Sequence, residues 1–241
     1  MAVFASRQIV VPSAGKQLGD YAVGESVFLN VNGTAREFLV VNQGVPSASI
    51  LYDSSCDGTW LLMKDIYEFR QWHSSDVNDY ENSTIHSYLN GTFLNLFDAD
   101  IKAQFKTVKL PYRKGSGYGT TITSGASGLA AKIFLLSSAE LNWFSRNSAY
   151  FPNSGDCLSY FSGCADTDSK RIAKLDGYGA PWWLRYPCCK SDSGSMYAFF
   201  VYEDGGWDYY NCSEPCGIRP ALVLPYNTKF DPDTNQVKGV A

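Results

Sequence analysis

Seven cysteines and two histidines are the side chains of this 241-residue chain best suited to nucleophilic, redox or metal chemistry. Their spacing limits what they can do. Cys56, Cys157 and Cys164 are scattered, Cys188 and Cys189 are adjacent, and three residues separate Cys212 from Cys216, so no C-x-x-C pair of a zinc ribbon or redox motif exists. The odd count leaves one thiol over from any pairing. His73 and His86 are too few for a multi-histidine metal site. Either could serve as base to a nucleophile such as Cys56, yet no elbow motif and no third orienting residue supports that pairing. No metal and no cofactor is expected.

Two other segments imitate ligand loops. Gly115-Ser-Gly-Tyr-Gly119 follows Arg113 and Lys114 but lacks the G-K-[ST] ending and the G-x-G-x-x-G spacing of a phosphate cradle, so it reads as a turn-rich loop. Asp231-Pro-Asp233-Thr-Asn235 resembles the start of a calcium loop without the glycine and glutamate that complete one, and reads as a terminal turn.

The third chemical feature is aromatic. The chain has 16 tyrosines and only 18% charged residues, and between Tyr178 and Tyr210 11 of 33 residues are aromatic, so the excess is local. Four of the seven cysteines fall between Cys188 and Cys216. Tyr186, Cys188, Cys189, Tyr197, Phe199, Phe200, Tyr202, Trp207, Tyr209, Tyr210 and Cys212 are too dense and irregular for one buried face. They are interleaved with Glu203, Asp204, Asp208 and Glu214. Tyrosine and tryptophan beside small polar residues is the composition of a paratope, where rigid amphipathic rings supply contact area at low entropic cost. These fifteen residues are the predicted ligand-binding set. By contrast Trp182-Trp183 and the Arg219 of Gly217-Ile-Arg-Pro-Ala221 read as structural, an indole pair in the core and a buried polar anchor.

The elements that must position this segment are short. Asn32-Gly33 between Ser26 to Val31 and Ala35 to Val41 predicts an opening β-hairpin. Trp60 to Lys64, Thr107 to Tyr112 and Lys132 to Leu136 read as strands. Ser83 is placed to cap a short helix that Asn90-Gly91 interrupts, and Asp98 starts another. Ser137-x-x-Glu140 has the spacing of a capping box leading into Leu141 and Phe144. Trp182 to Leu184, Tyr197 to Tyr202 and Ile218 to Leu224 are expected as antiparallel strands. Mixed signals without βαβ alternation give an α+β class. The expected organisation is a leader or attachment segment over 1–22, one ligand-binding domain over 23–226 and a tail over 227–241. A net charge of −4 argues against a nucleic-acid partner. Met1 to Pro12 has no apolar run of signal-peptide length and no window approaches a membrane span, so synthesis in a reducing cytoplasm without membrane insertion is expected.

Four stretches carry a family resemblance: Glu81-Asn-Ser-Thr-Ile-His-Ser-Tyr-Leu-Asn90, Lys132-Ile-Phe-Leu-Leu-Ser137, Trp182-Trp-Leu-Arg185 and Gly217-Ile-Arg-Pro-Ala-Leu222. Together they resemble a domain family common in prophages and gut bacteria. That family looks like a C-type-lectin fold of the formylglycine-generating type, with short antiparallel sheets, a few short helices and long loops. Some members resemble the variable proteins of diversity-generating retroelements. The resemblance implies a fixed scaffold displaying diversified residues between its W-W-L-R and G-I-R-P-A anchors. Adenine-directed mutation of asparagine codons would scatter Tyr, Cys, Asp, Ser and Phe there. Lys190, Met196, Glu203, Trp207 and Glu214 cannot arise by that route. It further implies a phage-tail receptor-binding protein whose partners are a host cell-surface protein or glycan and, through the N-terminal segment, other virion proteins, with homo-oligomerisation left open. The alternatives are a cysteine-dependent oxidase of the formylglycine-generating type, for which adjacent Cys188-Cys189 supplies no separated copper-binding pair, and a virion structural protein.

Overall fold

The computed structural model describes residues 15–47, 50–115, 121–143, 155–165, 167–188, 196–231 and 236. After a single 3-10 turn at Leu18–Asp20 comes the expected hairpin, β1 (Ser26–Val31) and β2 (Thr34–Gln43). Asn32 and Gly33 both take positive φ, 52° and 71°, which is the backbone twist a two-residue hairpin turn requires. The chain continues through β3 (Thr59–Met63), β4 (Glu68–Gln71), β5 (Val108–Leu110), β6 (Tyr112–Arg113), β7 (Ile122–Thr123), β8 (Leu129–Ala131) and β9 (Ile133–Phe134). Then come β10 (Ala173–Leu175), β11 (Tyr178–Ala180), β12 (Trp182–Pro187), β13 (Tyr197–Val201), β14 (Trp207–Asn211), β15 (Pro215–Ile218) and β16 (Ala221–Leu224). One five-stranded sheet has the order β1-β2-β3-β16-β9 and a second the order β14-β13-β12-β15-β4, with two-stranded pairs beside them. The class is α+β, dominated by open sheet.

Strand alternation explains where the cores sit. In the first sheet Leu29, Phe38, Leu61 and Leu222 point to one side while Val41, Trp60, Leu62 and Val223 point to the other; in the second, Trp183, Phe200 and Ile218 oppose Trp182, Leu184 and Phe199. The inner strands of both sheets are therefore buried on both faces and separate two hydrophobic cores. A helical stretch closes the first core. Ser83 caps α1 (Thr84–Tyr88) by accepting a hydrogen bond from the His86 N–H. Asn90-Gly91 does not interrupt the helix there: it widens into a π-helical turn over Leu89–Phe93. The Asn90 side chain meanwhile donates to the Ile133 carbonyl at 2.8 Å and accepts from the Lys132 N–H at 2.8 Å, tying helix to strand. After α2 (Ala99–Gln104), Phe105 completes this cover.

Three other expectations change. Ile218 to Leu224 is not one strand. It breaks at Arg219-Pro220, where proline has no N–H to give a ladder, and β15 and β16 lie in different sheets. β15 also runs parallel to β12, with Trp182 opposite Gly217, rather than antiparallel. The Ser137–Glu140 box closes reciprocally, Ser137 N–H to Glu140 and Glu140 N–H to Ser137, but around a turn rather than a helix. The segments read as leader and tail join the folded body. Leu18 is fully buried, its N–H donates to the Thr228 carbonyl, and Tyr21 packs edge-on to Phe230, so the core extends beyond 23–226 at both ends. Of the ligand-loop look-alikes, residues 116–119 and 232–235 lie outside the described residues, as does Phe144.

Candidate functional site

The two anchors hold the aromatic segment from beneath. Trp182 and Trp183, alternating along β12, send one indole into each core, and both ring N–H groups are satisfied, by the Arg171 and Arg70 carbonyls at 2.9 Å. Arg185, on the same strand, makes a bidentate buried ion pair with Glu140 at 2.5 and 2.6 Å. Tyr52 donates its hydroxyl to the same carboxylate at 2.9 Å, and the Arg185 guanidinium also donates to the Leu135 carbonyl at 2.8 Å. Gly217 of the second anchor is required by contact: a Cβ there would lie 2.6 Å from the Pro181 carbonyl oxygen that its own N–H approaches.

On this base β13 and β14 form a hairpin ending the second sheet, in the register Tyr197 to Asn211, Phe199 to Tyr209 and Val201 to Trp207. Alternation deals its rings to two faces. On one, Tyr197, Trp207 and Tyr209 are half-buried around Phe199, with centroid separations of 5.4 Å for Tyr197–Tyr209 and 5.6 Å for Phe199–Trp207. On the other, Tyr202 and Tyr210, each 46% exposed, lean on Phe200 at 5.9 and 6.3 Å. Glu203, Asp204, Asp208 and Glu214 are exposed around them. Of the fifteen predicted contact residues the fold thus brings Tyr197, Tyr202, Glu203, Asp204, Trp207, Asp208, Tyr209, Tyr210 and Glu214 to accessible surface. Tyr186, Cys188, Phe199, Phe200 and Cys212 are corrected: they are buried in the two cores, and Phe199 and Phe200 form the floor of the ring stacks. Cys189 lies outside the described residues.

At the turn of the hairpin an open concavity of about 360 Å³ is lined by Thr167, Tyr202, Asp204, Gly206, Trp207 and Asp208. It combines two aromatic rings with two carboxylates. Sequence reading missed Thr167, which arrives from a distant loop, and Gly206, which carries no side chain to notice.

Among the described thiols, Cys56, Cys212 and Cys216 are poorly suited to nucleophilic work. Burial pushes Cys216 up to about 12 and raises Cys212 further, whereas an activated thiolate is shifted downward. Cys56, pushed up to about 11 chiefly by burial, donates to the Lys109 carbonyl and has neither histidine as a hydrogen-bond partner. Among the described residues no group of three or more His, Cys, Asp or Glu side chains is placed to hold a metal ion. No described helix is long and apolar enough to cross a membrane.

Neither a curated protein nor a solved structure matches the chain. The family model described as Domain of unknown function (DUF6273) matches residues 57–226, a span that takes in Glu140, both anchors and the whole β13–β14 hairpin. With well over half of its length matched, the chain belongs to the DUF6273 domain family.

Proposed function

We propose that this chain is a non-enzymatic ligand-binding protein of C-type-lectin-like fold, acting as a receptor-binding component of a phage or prophage tail. The observation that carries the reading is the β13–β14 edge. It presents tyrosine and tryptophan rings on both faces, backed by buried Phe199 and Phe200 and rimmed by carboxylates. Rings already stacked on a packed floor lose little freedom when a ligand arrives, which is the economy of a preorganised site. The ligand class is a host cell-surface protein or glycan, and acidic side chains beside aromatic faces suit sugar hydroxyls or cationic groups.

The lectin-like fold and the phage setting rest on the resemblance of the W-W-L-R and G-I-R-P-A stretches, whose strands adjoin in the second sheet. Diversification, if it operates here, has useful targets in Tyr197, Tyr202, Asp204, Asp208, Tyr209 and Tyr210, which reach the surface. The buried Cys188 and Cys212 would be silent passengers.

The test is binding of the labelled full chain to a glycan array and to intact gut-bacterial cells, repeated with Trp207→Ala and Tyr210→Ala. Loss of about tenfold or more in either variant, the scale of a hot-spot ring, is expected. Binding that survives both substitutions unchanged overturns the site. A reverse-transcriptase gene beside an adenine-differing copy of the Trp182–Arg219 coding segment would support the variable-protein reading.

A further inference from the structure

A second concavity, of about 510 Å³, shares no lining residue with the one at the hairpin turn and concentrates positive charge in an otherwise acidic chain. Lys64, Lys170, Lys174 and Arg219 line it against one carboxylate, Asp65. Lys64 is already neutralised by Glu37 at 2.9 Å, and Asp65 accepts from the Lys174 backbone N–H. Lys170 is held by the Tyr160 carbonyl, a neutral partner, at 3.0 Å. The Lys174 ammonium makes no hydrogen bond or ion pair among the described residues.

The floor is the unusual part. Arg219 is only 1% exposed, yet its guanidinium donates to just two backbone carbonyls, Met63 at 2.9 Å and Arg171 at 3.5 Å, and stacks 4.9 Å from the Trp182 ring. Its Nη2 donates to nothing among the described residues, and no carboxylate pairs with it. Asp65 is near enough to act on it electrostatically but not to form an ion pair, and a buried cation without a paired, hydrogen-bonded anion is costly. Burial pulls its pKa down to about 10, which still leaves it charged at neutral pH.

We propose that this pocket binds the dianionic phosphate of a small phosphate monoester between Lys170, Lys174 and Arg219. The charge count sets the valence: three unneutralised cations against Asp65 leave two positive charges. Arg219 has its Nη2 left to donate to a phosphate oxygen, and Tyr160 and Ser169 line the same space. The volume exceeds that of phosphate alone and lies in the range of small-molecule sites, with Leu39 and Ile172 giving the non-phosphate part an apolar wall. The assignment does not depend on the β13–β14 reading.

The test is titration calorimetry of the full chain with glucose 6-phosphate and, separately, inorganic phosphate, at ionic strength matched with sodium chloride. Saturable binding of the ester, weaker binding of phosphate, and about a tenfold loss on Lys174→Ala are expected, the loss being that of one charge-assisted hydrogen bond. Lys174 is exposed, so this variant keeps the fold, and Arg219→Met is expected to abolish binding. Equal binding by phosphate and ester would show that the non-phosphate part adds nothing and would overturn the ester assignment in favour of a general phosphate site. No saturable binding of either, or binding that Lys174→Ala and Lys170→Ala both leave unchanged, would overturn the site altogether.

Discussion

Arg185, on β12 of the second sheet, and Arg219, in the two-residue break between β15 and β16, belong to the two anchors, and both are buried. Arg185 is met by Glu140 and by the Leu135 and Pro111 carbonyls; Arg219 is met by two carbonyls and an indole face. The first constellation is closed, with its charge cancelled inside the protein. The second is open, with a cation facing a cavity. Burial alone therefore does not tell a structural arginine from one that receives a ligand; what distinguishes them is whether a carboxylate is in ion-pair contact.

The contrast can be broken by mutation, most severely at its closed end. Glu140→Ala leaves Arg185 buried and unpaired, and a loss of about 3–5 kcal/mol in unfolding free energy is expected by urea denaturation. Trp183→Ala, which empties one core beneath the hairpin, should cost about 3–5 kcal/mol as well. Trp207→Ala, from the half-buried ring above, should cost clearly less. If both tryptophans cost the same, the separation of floor from display surface fails. At the open end, Arg219→Met removes a buried charge that has no ion-pair partner, at similar volume, so its stability change should stay within about 1.5 kcal/mol in phosphate-free buffer. A loss as large as that of Glu140→Ala would make Arg219 a second structural anchor.

The smallest expected effect concerns a third group, His86, whose pKa is lowered chiefly by burial, with Glu81 opposing. Its folded pKa lies below the unfolded value of about 6.5, so the unfolded chain takes up the proton first. Its contribution is fully present above that value and is lost as pH falls through the folded pKa. The urea midpoint of the wild type should therefore drop between pH 7.5 and pH 5, and His86→Gln should reduce that drop. An unchanged pH dependence in the variant would show that His86 carries none of it.

What the sequence made legible was local. Asn32-Gly33 specifies its turn because both positions tolerate positive φ, and Ser83 specifies a cap because its hydroxyl reaches the His86 N–H. The paired tryptophans could be placed in the core because adjacent strand residues face opposite sides and both sides are buried. The aromatic segment was located by density, but density hides alternation: Phe199 and Phe200 are neighbours of exposed rings and yet floor residues. Hairpin register decides that, and it depends on which strand lies alongside. The long-range partners had no local signal. Glu140 reads as a capping residue, and nothing in the spacing announces that its second partner lies 45 residues on. The basic pocket assembles residues 64, 170, 174 and 219, which are unremarkable one by one.

The break at Arg219-Pro220 has a consequence for how the molecule comes apart. β15 sits between β12 and β4 in one sheet, and β16 between β3 and β9 in the other, so two residues splice an inner strand of each to an inner strand of its neighbour. Neither sheet can peel away without extracting a strand from the middle of the other. Two hydrophobic cores would by themselves suggest two independently melting halves. The splice instead should make them one cooperative unit, and a single transition for the whole body is expected in urea unfolding followed by both fluorescence and circular dichroism.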